Sequence, residues 1–244
     1  MSIQSSNQYS ARVRVWRPIA QEGRCGHVTV SLEVKTGEKP SVTQNHLGLW
    51  PKHGWKVHFF SSMVPVLGVS TQNSHEDLLR ESHNDHAFEP SESYKIPLTE
   101  EQYHLMDNQI CMEREKINSG VTAYCLLPKI SILKLLQGAA QKDVVNYTHS
   151  CPITHLPMEH NNLTDDIGAF QHLTVENCAT VAVKVLNSAG VSVQPSKIAP
   201  WEHSPLGVGM ALNHLSTQRN DISVKYNANY YNNKSFDENG KNFE

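Results

Sequence analysis

The chain has 244 residues, 39% of them hydrophobic, and a formal net charge of −3 at pH 7, which suits one globular domain of generous size or one domain with a large insertion. The charge balance carries neither a nucleic-acid footprint nor a polybasic membrane patch, and no run approaches the ~20 apolar residues of a membrane span. Five cysteines (Cys25, Cys111, Cys125, Cys151, Cys178), odd in number and without a CxxC, argue against a disulfide scaffold and for mostly reduced thiols.

The opening MSIQSSNQYSARVRVW has no basic n-region followed by an apolar h-region. No Sec signal peptide is expected, and export would need a dedicated secretion machine. Residues 1–10 are polar and expected to be flexible. ARVRVW (11–16) alternates and reads as a strand suited to a sheet edge. HVTVSLEV (27–34) alternates cleanly, with Val28, Val30, Leu32 and Val34 on one face and His27, Thr29, Ser31 and Glu33 on the other. TGEKP (36–40) supplies turn chemistry, and HLGLW (46–50), closed by Pro51, completes a hairpin with a long connection.

Residues 68–93 are rich in Ser, His, Asn and acidic groups and read as a surface loop. From 98 to 117 a Thr99-x-x-Gln102 capping pattern precedes Tyr103, Met106, Ile110 and Ile117 on one stripe, which predicts a helix. VTAYCLLP (121–128) predicts a buried strand ended by Pro128, and 129–142 a helix; 143–172 is irregular. In TVENCATVAVKVLNSAGV (174–191), Cys178, Ala182, Val185 and Ala189 share a helical face, flanked by Val181 and Leu186, with Gly190 as the stop. A short helix after Pro205 closes the fold. The tail, 223–244, is expected to be disordered, being Asn-, Tyr- and Lys-rich and poor in aliphatics from 227 on.

The chemistry concentrates in two distant stretches. Cys178 sits at the first turn of an apolar helix, where free N–H groups and the dipole favour a thiolate and can stabilise an oxyanion. A cysteine nucleophile wants an imidazole within hydrogen-bond reach, and His27 opens a strand whose end can meet such a helix start. A third polar group should orient the ring, and Asn45 or His46 on the neighbouring strand can supply it. Alternation puts those two on opposite faces, so only one can serve. The plainer reading is a small buried cysteine and a satisfied strand histidine.

Other features are set aside. His149, Cys151, His155 and His160 have ligand chemistry but match no zinc-finger spacing, so no metal site is expected. Cys25 precedes a strand and lacks the helix-start environment, while Cys111 and Cys125 sit in apolar patterns. GVGMALNHL (207–215) has no following helix-glycine or acidic partner and is no dinucleotide fingerprint. Trp50, Trp55 and Trp201 read as core caps.

GHVTVSLE, a second strand, then NCATVAVKVLNSAGV resembles the circularly permuted papain-like group related to NlpC/P60 and lecithin:retinol acyltransferase-like proteins. In that group the histidine strand comes first and an Asn-Cys helix late. The GHVTVSLE…LGLWP hairpin also resembles a bacterial subset found among effectors that intracellular pathogens deliver into host cells. The resemblance covers roughly 24–51 and 174–215. It implies an α+β fold with an antiparallel sheet packed against the cysteine-bearing helix, spanning 11–222 with an insertion at about 52–173.

It further implies Cys178 as nucleophile, His27 as general base and a third residue near Asn45 or His46. The thiolate would attack an amide, ester or thioester, His27 would shuttle the proton, and water or an amine would resolve the acyl-enzyme. No cofactor, metal or nucleic acid is called for. The expected counterpart is a host protein or acyl-bearing substrate in the host cytoplasm. The alternative is a papain-like scaffold without turnover that holds a host protein in its cleft.

Overall fold

The computed structural model describes residues 7–19, 25–52, 64–81, 89–128, 131, 133–134, 173–194, 203–228 and 230. The chain divides into two compact units, the first built from 1–48, 71–111 and 178–244, the second from 49–70 and 112–177. The stretch expected as one insertion, 52–173, is therefore split: 71–111 clusters with the sheet of the first unit. Helices and strands are mixed, as an α+β chain requires. Among the described residues no helix is long and apolar enough to cross a membrane.

The first unit is an antiparallel sheet. Strand β1 (Asn7–Trp16) pairs with β2 (His27–Thr36) on one side and β5 (Glu92–Leu98) on the other. β3 (Val42–Pro51) pairs with β2, and β8 (Ser223–Tyr226) with β5. β1 is thus an interior strand rather than an edge, and it begins at Asn7, inside the stretch expected to be loose. Its first residues are polar because they sit at the end of the sheet; their backbone is held by the ladders to β2 and β5.

Direct cross-strand partners share a face. Ala11, Val13 and Val15 therefore join Leu32, Val30 and Val28, together with Ile96 and Tyr94, on one apolar face, each at most 1% exposed. Each such side chain contributes about 1.5–3 kcal/mol on burial.

Helices α2 (Glu100–Asn118), α3 (Cys178–Ser188) and α4 (Pro205–Gln218) form where capping chemistry was legible. The Thr99/Gln102 box closes as expected: Gln102 N donates to Thr99 Oγ1 (3.2 Å) and Thr99 N to Gln102 Oε1 (3.1 Å). α3 ends in a Schellman turn, with Gly190 at φ +73°, Val191 N donating to Leu186 O (3.1 Å) and Gly190 N to Asn187 O (3.0 Å). Ser204 caps α4 by accepting from Gly207 N (3.1 Å), with Pro205 in the first turn.

Three expectations are corrected. The surface loop at 68–93 contains β4 (Val66–Thr71), α1 (Ser74–Glu81) and the start of β5. Its composition hid a helix cap: Glu76 N donates to Asn73 Oδ1 (2.9 Å), and Gln72 N to Glu76 Oε2 (3.0 Å). The fold does not close at the helix after Pro205, because β8, inside the predicted tail, adds a strand to β5. The strand at 121–128 shrinks to β6 (Thr122–Tyr124).

In the second unit β4 pairs antiparallel with β6, and β6 pairs parallel with β7 (Thr174–Glu176). The 149–160 cluster, Trp55, Trp201 and nearly all of 129–172 lie outside the described residues.

Candidate functional site

The β2–β3 register sets Ser31 opposite His46 and Thr29 opposite Gly48. Alternation from Ser31 back to His27 then places His27, Thr29, Ser31, His46 and Gly48 on one face. That face meets Asp77 of α1. His46 Nε2 makes a close contact with Asp77 Oδ2, Thr71 Oγ1 donates to Asp77 Oδ1 (2.7 Å), and His27 Nε2 lies 3.8 Å from Asp77 Oδ1. The His27 ring also tilts against Trp16, with centroids 5.6 Å apart.

Gly48 permits this approach: a Cβ there would lie 2.6 Å from Asp77 Oδ1. His46 and Asp77 are 0% exposed and His27 2%.

The proton positions follow from donor chemistry. Arg14 Nη1 donates to Ser31 Oγ (2.7 Å), and a guanidinium cannot accept. Asp77, as a carboxylate, can only accept, so His46 carries a hydrogen on Nε2 and donates it to Asp77. In the neutral ring Nδ1 is then an acceptor, and Ser31 donates to it across 2.7 Å. The result is a relay, Arg14–Ser31–His46–Asp77, buried throughout at His46 and Asp77.

Burial pushes the Asp77 carboxyl up. The facing imidazoles of His27 and His46 outweigh that and hold it well below the usual carboxylate range. Burial pushes the His27 imidazole down, and the charge of Asp77 offsets this only in part.

Of the four residues singled out in the sequence, the structure brings His27 and His46 together, through Asp77. Asn45 is opposite Leu32, on the other face, and its Nδ2 donates to Asp107 Oδ1 (2.7 Å) of α2. Cys178 opens α3, 3% exposed, and α3 packs on β2. The side on which it packs decides the outcome.

Tyr9, one residue-pair from Ala11 on the apolar face, stacks on Tyr103 of α2 at 4.8 Å. A Cβ on Gly209 of α4 would lie 3.3 Å from Val15 Cγ1 of the same face. α3 is tied to both helices: Gln102 Nε2 donates to Ala189 O (2.9 Å), and α3 packs on α4. α3 therefore covers the Val28, Val30 and Leu32 face. Alternation turns His27 away from that face, toward Asp77.

Asp77 was missed because its helix was hidden in a polar stretch. Gly48, breaking an apolar strand between Leu47 and Leu49, was the available signal that a neighbour approaches closely there. Among the described residues no group of three or more His, Cys, Asp or Glu side chains is arranged to hold a metal ion.

No family model, curated protein or solved structure matches this chain.

Proposed function

We propose that the chain acts as a non-catalytic binding scaffold for a protein partner, with the element order of a permuted papain-like domain and without a working Cys-His pair. The observation that carries this reading is the facing of His27 toward buried Asp77, 3.8 Å away, while α3, which Cys178 opens, packs on β2. A general base must come within ~2.6–3.2 Å of the proton it takes, or reach it through one water.

A row of exposed apolar side chains on α4, Leu206 and Met210, one turn apart, agrees with a protein partner. If the partner belongs to a host cell, the chain would be an effector of the kind the hairpin resembles.

A second reading, cysteine-dependent hydrolysis or acyl transfer through Cys178, is favoured by one observation: the thiol sits in the first turn of a buried helix, where a thiolate is stabilised. It requires His27 to leave Asp77.

Timed iodoacetamide alkylation at neutral pH, read residue by residue by mass spectrometry, separates the two. The scaffold reading expects exposed Cys111 to react first, half-buried Cys25 next, and buried Cys178 and Cys125 slowly. Rapid, selective alkylation of Cys178 that is abolished by His27→Ala would overturn it in favour of the enzyme.

A further inference from the structure

We propose that the groove over the ends of β1, β5 and β8 binds a small molecule through a phosphate or a comparable oxyanion. The groove encloses about 560 Å³, a volume suited to a small ligand. It lies within the first unit, and the proposal is independent of how Cys178 is read.

The register builds its charged wall. Lys35 stands opposite Gln8, while Lys95 stands opposite Arg12 and, on its other side, Ser223. Gln8, Lys35, Lys95 and Ser223 line the groove together with the hydroxyl-bearing Ser10.

The charges on this wall do not balance. Glu33 accepts from Arg12 at both Nε and Nη2 (3.1 Å for the latter), and the same carboxylate is 3.7 Å from Lys95 Nζ. Lys95 also donates to Ser41 Oγ at 3.2 Å. Among the described residues Lys35 forms no ion pair. Arg12 and Lys95 thus share one carboxylate, and Lys35 stands outside that pairing.

The two acidic residues of the rim compensate in part. Asp221 is held by both arms of Arg219, at 3.1 and 2.7 Å, whereas Glu100 accepts only from the neutral Tyr9 hydroxyl, at 3.2 Å, and keeps its charge. What remains is a concave surface on which Arg12, Lys35, Lys95 and Arg219 face Glu33, Glu100 and Asp221, with hydroxyl and amide donors beside Lys35. An oxyanion answers that surplus of positive charge; a cationic ligand does not.

The test is calorimetric titration of the full chain with sodium pyrophosphate, against sodium chloride at matched ionic strength. Saturable binding is expected for the wild type and for Lys39→Gln, a control on the β2–β3 turn outside the groove. Lys35→Gln is expected to weaken binding about tenfold, the equivalent of one charge-assisted hydrogen bond. Lys35→Gln/Lys95→Gln should abolish it, with circular dichroism checking the fold.

A parallel sedimentation with phosphatidylcholine vesicles containing phosphatidic acid identifies the source. Retention that pyrophosphate competes away points to a lipid headgroup, and pyrophosphate binding without retention points to a soluble ligand. No saturable heat with the wild type, or equal affinity in the double variant, overturns the proposal.

Discussion

Asp77→Ala tests whether the His-Asp-His cluster locks the fold. In the wild type Asp77 accepts from Thr71 at 2.7 Å, is in close contact with His46 Nε2 and faces His27 at 3.8 Å, all at or near zero exposure. Alanine removes the acceptor of the His46 Nε2–H at a site with almost no exposure. It also leaves a void under α1. Removing one partner of a buried charged pair costs about 3–5 kcal/mol.

Asp77→Asn keeps the volume and one acceptor. Its amide can donate to Thr71, whose hydroxyl can turn to Gly48 O at 3.4 Å. That variant loses mainly the charge assistance, about 1.5–3 kcal/mol. Urea unfolding at pH 7 followed by tryptophan fluorescence reads both, since Trp16 lies against His27. With a slope of about 1–3 kcal/mol/M, the alanine variant should move the midpoint by 1 M or more at constant slope. An alanine variant within ~1 kcal/mol of wild type refutes the lock, and so does an asparagine variant that is the worse of the two.

The cluster also predicts a pH dependence. His27 has a folded pKa depressed below its unfolded value of about 6.5, so the unfolded chain binds the extra proton first, and stability falls as pH drops below about 6.5. Asp77, also depressed, contributes stability that is complete above about pH 5 and is lost on further acidification. His27→Gln should flatten the stability profile between pH 7.5 and 5.5, and an unchanged slope in that variant removes His27 as the cause. Gly48→Ala puts a methyl group against Asp77 and should destabilise by about 1–3 kcal/mol in the same urea assay; a neutral result would mean that α1 stands further off than described.

The hairpin, the α2 capping box, the helix opened by Cys178 and its glycine stop were legible because each rests on neighbours in sequence. HVTVSLEV declares its own alternation, and Thr99 and Gln102 cap each other across three residues. β8 was not legible: its four residues have no stronger pattern than the tail around them, and they become a strand only because β5 offers a ladder. Nor was α1, because the polar residues that cap it, Asn73 and Glu76, are also those that mark a loop.

At the site, the alternation of HVTVSLEV already separates the two faces of β2, and nothing in it says which one the cysteine helix covers. That choice depends on α2 and α4, which reach the sheet from elsewhere in the chain.

The facing of His27 is also hard to reverse. Strand side chains alternate with a period of two, so bringing His27 toward α3 by a slip of β2 would turn out Val28, Val30 and Leu32 together. Each is at most 1% exposed, and losing all three would forfeit about 5–9 kcal/mol of burial, comparable to the whole stability of an ordinary domain. The slip would also separate Arg12 from Glu33 and Ser31 from His46. Any route to catalysis must therefore spare the strand and act on its first residue alone. His27 is that residue, paired at the end of the ladder with Trp16. A local turn of the backbone there must give up Asp77 and the Trp16 ring at once, and the thiol of Cys178 would have to offset both losses.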